Sequence, residues 1–199
     1  MSALTAQALF EAAAAGHAVD GALVRRALNQ LEACRTEVGA IAYDAESGTG
    51  AFSLVPGATV RMLIAETTLR LAGRGSVERV RGALDAFFTH WERLEERRAQ
   101  TGTHTPPFLI APYYVFFGHH YAAQAIEQLP PAERPEYRSR LHERLAQVRD
   151  ADGTWNDRVF PRTANYGTAM VVLALGMPGA LGPATWDDGA SRPDPLPTK

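Results

Sequence analysis

The stretch YYVFFGHHYAAQAIEQLPPAERPEYRSRLHERLAQV, Tyr113 to Val148, sets two unlike helical segments one after the other. From Tyr113 to Gln128 the only charged side chain is Glu127, and Pro130 and Pro131 close the segment. From Ala132 to Val148 there are three Glu and four Arg. A helix that is apolar around its circumference is buried, whereas one charged on a single side faces solvent. The stretch therefore predicts an inner helix followed by an outer one.

The same alternation extends in both directions. Ala3–Ala15, Ala58–Ala72 and Ala164–Leu175 are Ala-rich and poorly charged. Gly21–Arg35 carries an apolar stripe of Leu23, Ala27, Leu28, Leu31 and Cys34. A segment N-capped by Ser76 and running to about Gln100 carries the charge run Trp91 to Arg98. Gly16, Gly73 and Gly75 mark stops, and Gly39–Gly57 and Thr101–Pro112 read as turn-rich connections. No segment keeps a strand period, so the fold class is all-α, with helices in two layers. Internal similarity supports repetition. Thr5–Leu9 resembles Ala122–Ile126 and Thr168–Val172, with Ala65–Leu69 a looser copy, which aligns Gln7, Glu66, Gln124 and Met170.

Composition narrows the function classes. Twenty Lys and Arg stand against 22 Asp and Glu, a formal charge of −2 in 199 residues. That balance lacks the basic excess of a nucleic-acid binder, so no nucleic-acid partner is expected. The single cysteine, Cys34, excludes an internal disulfide and a Cys-rich zinc site. Lying on an apolar stripe, it reads as a small hydrophobe, and neither a metal nor a cofactor is expected. No apolar run reaches membrane-spanning length, and no Lys or Arg precedes Arg25 in the Ala-rich N-terminus, which argues against a secretory signal. A cytoplasmic location is the default. Residues 1–178 form the expected domain, and the Gly- and Pro-rich residues 179–199 a flexible tail.

Gln147 followed by Gly153-Thr154-Trp155 resembles the Gln-Trp repeat motif of squalene and oxidosqualene cyclases. The start Asn165-Tyr166-Gly167-Thr168-Ala169-Met170 is similar to the helix that follows this motif in prenyltransferase-type repeats. The resemblance implies an α/α toroid, here about half a ring. Inner helices line a cavity, while Gln147 and Trp155 stack to tie neighbouring hairpins together. A half ring implies either a homodimer or further N-terminal repeats. Two departures bear on chemistry. The Asp-x-Asp-Asp acid of the cyclases is not matched by Asp150-Ala151-Asp152-Gly153, and the Asp, Cys and His zinc ligands of the prenyltransferases have no clear counterpart.

Candidate lumen residues are Arg61, Glu66, Tyr113, His119, His120, Arg158, Arg162 and Tyr166. The densest aromatic group comprises Thr103, His104, Tyr113, Tyr114, Phe116, Phe117, His119, His120 and Tyr121, with Tyr113, Phe116, Phe117 and His120 placed on one helical face. His119 and His120 diverge by about 100°, so they cannot share a metal. One is expected in the interhelical core and the other at the cavity. Arg61 and Glu66 are either lumen-facing or part of a buried ion pair. Arg158 and Arg162 stand near a helix N-terminus that suits an anion, or else pair with Asp157 to hold the loop.

The expected function is a toroid domain without the cyclase reaction, binding a hydrophobic, isoprenoid or lipid-like ligand or a partner. One alternative is part of an active terpene cyclase or prenyltransferase whose catalytic group lies in absent repeats. The other is a carbohydrate-active toroid enzyme using Tyr113 or His120 as base and Arg158 as carboxylate neutraliser.

Overall fold

The computed structural model describes residues 2–43, 54–98, 100–102, 104–158 and 160–187. Residues 44–53 of the expected Gly39–Gly57 connection, Thr103, and residues 188–199 of the expected tail lie outside the described residues. Among the described residues there are eight α-helices: α1 (Ser2–Ala14), α2 (Gly21–Ala33), α3 (Val55–Leu71), α4 (Val77–Thr89), α5 (Trp91–Arg98), α6 (Tyr114–Ile126), α7 (Arg134–Gln147) and α8 (Ala164–Gly176). Among the described residues there is no strand, only two isolated bridges, Arg35 with Ile41 and Thr105 with Ile110. The all-α class stands.

The single segment expected from Ser76 to Gln100 is two helices, interrupted at His90. The interruption carries Trp91 into the core, where its indole N–H donates to His119 at 2.9 Å. Ser76 caps α4 as expected, accepting from the Arg79 amide at 3.3 Å. After α3, Gly73 adopts φ 71°, and the Arg74 amide turns back to the Leu69 carbonyl at 2.8 Å. That left-handed step admits glycine at little steric cost.

The poorly charged helices α1, α3, α6 and α8 pack in that order, each against the next. The charged ones flank them, with α2 against α1 and α3, α4 against α3 and α6, and α5 and α7 against α6. Twelve of the 17 residues of α3 and ten of the 13 of α6 are buried, because both have inner neighbours on either side. Only three of 13 are buried in α1 and in α8, the two ends of the row. Val172, Leu173 and Leu175 of α8 consequently stand exposed at 60%, 54% and 41%.

Small residues set the spacing of the row. A Cβ on Gly167 of α8 would lie 2.3 Å from the Trp155 carbonyl oxygen and 2.9 Å from Phe116 of α6. The row also bends. The Gln7 and Gln124 side-chain amides, from α1 and α6, bond reciprocally at 3.0 and 3.2 Å, and Gln7 also donates to Thr68 of α3 at 2.8 Å. Helices packed on opposite sides of a third in a flat row would stand about 16–20 Å apart, beyond the reach of two Gln side chains. The side carrying Gln7, Thr68 and Gln124 is therefore concave. Gln7 and Gln124 are two of the positions aligned by the repeat. The α3 residue that joins them is Thr68, two positions beyond the expected Glu66.

The packed unit does not stop at residue 178. The chain continues past α8 and reaches α1 and the end of α3. There the Ala184 amide donates to Glu11 at 2.7 Å, and the Trp186 amide donates to the Leu71 carbonyl at 3.0 Å. Trp186 is buried and stacks on Phe10 at 5.6 Å. Residues 180–187, read from their Gly and Pro content as flexible tail, instead join the last inner helix to the first. One aromatic side chain supplies the burial that their composition concealed.

Candidate functional site: an aromatic cluster on the concave face

On α6, Phe117, Tyr121 and Gln124 recur at i, i+4 and i+7, so the two rings share the concave face marked by Gln124. On α3, Arg61 and Thr68 share that face at i and i+7. Around them runs a chain of ring contacts. Tyr113 meets Tyr114 at 4.7 Å, Tyr114 meets Phe117 at 6.4 Å, and Phe117 meets Tyr121 at 4.7 Å. His104 packs edge-on against Tyr113, Tyr114 and Tyr43, and the Arg61 guanidinium lies 5.6 Å from the Tyr43 ring. Tyr166 of α8 lies within electrostatic reach of Tyr121.

Burial disfavours the charged forms of several groups in this cluster. It pushes the Tyr121 hydroxyl up to about 12, with Tyr166 adding to the effect, and it also raises Tyr114. Tyr166 is raised by its own burial and by Asp157. His120 is shifted down by burial, and its Nδ1 is enclosed with no hydrogen-bond partner. Burial also lowers Arg61, which donates to the Ile41 carbonyl at 2.9 Å. The cluster presents ring faces, phenolic hydroxyls, the His104 and His120 imidazoles and the Arg61 guanidinium. Such a surface suits an apolar or weakly polar molecule.

The expected candidates separate into lining and framework. Tyr113 and Tyr166 are partly exposed and belong to the cluster, as do Arg61 and His120. His119 does not. It is fully buried, accepts from Trp91, and holds its Nδ1 at 2.6 Å from the Val115 carbonyl. Because Nε2 accepts, the proton sits on Nδ1, and burial holds the ring down at about 4. One histidine is thus in the core and the other at the cluster. Phe116, assigned by spacing to the face of Phe117, is instead completely buried and aims at Gly167. The helix turns about 100° per residue, which places Phe116 toward α8.

Glu66 is also framework. Both its oxygens accept from Arg35 at 2.8 Å, and it is 4% exposed. This is the buried-pair alternative, with a partner outside the inner row. Arg158 donates to Asp150 at 2.6 Å, and Arg162 lies over Phe160 at 5.4 Å. Asp157 is buried and accepts from the Thr163 hydroxyl at 2.6 Å. These contacts hold the loop.

The Gln-Trp pairing needs a similar correction. Gln147 is exposed, and its carbonyl accepts from Arg144 at 3.1 Å. The group over the Trp155 ring is the Arg149 guanidinium, 5.2 Å from its centre. Trp155 itself ties the hairpin together, donating from its indole to Leu145 of α7 at 2.8 Å and from its amide to Thr168 of α8 at 3.1 Å. Gly153 takes φ 88°, with Arg149 filling the space beside it.

Sequence reasoning gave no site role to Arg35, Tyr43, Trp91 or Trp186, because only the tertiary fold brings each to its partner. Among the described residues no three His, Cys, Asp or Glu converge as a metal site, and no helix is long and apolar enough to cross a membrane. Comparisons of the chain with protein-family models, curated proteins and solved structures return no match. The class defined here is accordingly structural: an all-α protein whose poorly charged helices pack in a row flanked by charged ones, with an aromatic cluster beside that row.

Proposed function

We propose that the chain is about half of an α/α toroid of the squalene-cyclase and prenyltransferase repeat type, and that its concave face binds a hydrophobic, isoprenoid or lipid-like ligand. The observation that carries this reading is the continuous run of rings Tyr43, His104, Tyr113, Tyr114, Phe117 and Tyr121 beside the inner row. The proposed role is binding without cyclisation. The carboxylate buried in the inner row, Glu66, has both oxygens occupied by Arg35 and offers none to a ligand. The uncharged helix α8, with Val172 and Leu173 exposed, supports completion of the ring by a second copy or by further repeats.

Native mass spectrometry and thermal unfolding with geranylgeraniol test the reading. Saturable binding that raises the unfolding temperature is expected, and Phe117→Ala should weaken it roughly tenfold by removing ring contact. Binding that is absent, or unchanged in Phe117→Ala, would overturn the assignment of this face.

A further inference from the structure

The outer face carries an arrangement that the concave cluster does not use. Helix α7 holds four arginines in two flanking pairs. Arg134 and Arg138 both pair with Glu127, at 3.5 and 2.7 Å. Arg140 and Arg144 are in no ion pair among the described residues, although Glu136 stands four residues before Arg140. Their guanidiniums lie instead over rings. Arg140 is 4.3 Å from Phe88 and 5.4 Å from Tyr137, and Arg144 is 4.6 Å from Trp91. Past the end of α7, Arg149 repeats the arrangement over Trp155.

Stacking fixes a guanidinium while leaving most of its N–H donors directed outward around the ring edge. Arg144 uses one group on Gln147, and Arg149 uses one on the Gly153 carbonyl. Of the nearby carboxylates, Glu95 is paired with Arg98 and Asp150 with Arg158, while Asp85 and Glu143 accept from the Tyr137 and Ser139 hydroxyls. Three arginines that are in no ion pair among the described residues therefore lie in chain order, each held on an aromatic support.

We infer that this ladder of stacked arginines is a docking surface for an acidic, extended peptide segment of a partner protein, with carboxylates at alternate positions. Arg140 and Arg144, at i and i+4 of α7, are about 6 Å apart along the axis, and alternate residues of an extended chain about 6.7 Å apart, so two successive carboxylates meet these two guanidiniums, with Arg149 just past the end of the helix. Preorganised planar donors match carboxylates bidentately with little loss of side-chain entropy.

The test is fluorescence anisotropy of the full chain with a labelled octapeptide alternating Glu and Ser, at low ionic strength. Saturable binding that weakens with added salt is expected. Arg140→Gln/Arg144→Gln should weaken it roughly tenfold, whereas Arg134→Gln/Arg138→Gln, with the same change in charge, should leave it intact. Thermal unfolding establishes whether each double variant folds. Arg140→Lys/Arg144→Lys provides a second comparison, retaining the charge but losing the planar fork, and should bind more weakly than the unsubstituted chain. The inference is overturned by absent binding, equal loss in both Gln pairs, full binding by the Lys variant, or equally tight binding of single-stranded DNA of the same charge.

Discussion

Glu66 and His119 are both buried ionisable groups on inner helices, and the fold resolves each differently. Glu66 is paired with Arg35, a partner just past the end of α2, at 2.8 Å. Arg35→Met leaves that carboxylate buried without a counter-ion and should lower stability by about 3 kcal/mol, while Arg35→Met/Glu66→Met should lose less. Urea denaturation of the two variants checks this. His119 stays neutral instead, held down at about 4 from the ordinary 6.5. Between those values the unfolded chain binds the proton and the folded one does not. Stability is therefore full above pH 6.5 and falls as pH drops toward 4, by about 3 kcal/mol from this residue. His120, also shifted down by burial, acts in the same direction. Urea midpoints measured across that window should fall less steeply in His119→Gln.

At the scale of elements, the α7–α8 connection depends on Trp155 more than on the glutamine that drew attention in the sequence. The indole takes a carbonyl near the end of α7, where orphan acceptors need partners, while its amide binds α8. Trp155→Ala should cost about 3–5 kcal/mol, and Gln147→Ala should stay within about 0.5 kcal/mol, because its side chain lies in solvent. Thermal unfolding separates the two. The Gln-Trp motif was legible as a helix-loop-helix signature, but the stacking partner was not. Arg149 and Gln147 lie two residues apart at the end of α7, and only the path of the chain decides which one reaches the ring.

At the scale of the whole molecule, the segment after α8 makes the chain's two ends interdependent. Trp186→Ala removes the stack on Phe10 and should lower stability by about 3 kcal/mol. Hydrogen exchange would show where the loss falls, with faster exchange expected in α1, which has few buried residues of its own. Equal loss of protection across α3 and α6 would mean that the segment does not selectively secure α1.

Helix identity and layer were decided by local sequence. Burial on all sides demands an uncharged circumference, as in Tyr114–Ile126, and a solvated face demands charge, as in Arg134–Gln147. The repeat markers Gln7 and Gln124 were visible for the same reason, since equivalent places in successive hairpins face equivalent surroundings. Pair identities were decided by tertiary structure alone. Arg35 with Glu66, Trp91 with His119 and Trp186 with Phe10 join residues 31, 28 and 176 apart in sequence. Periodicity assigns a side chain to a face, but the partner across that face depends on how neighbouring helices cross and where the row bends.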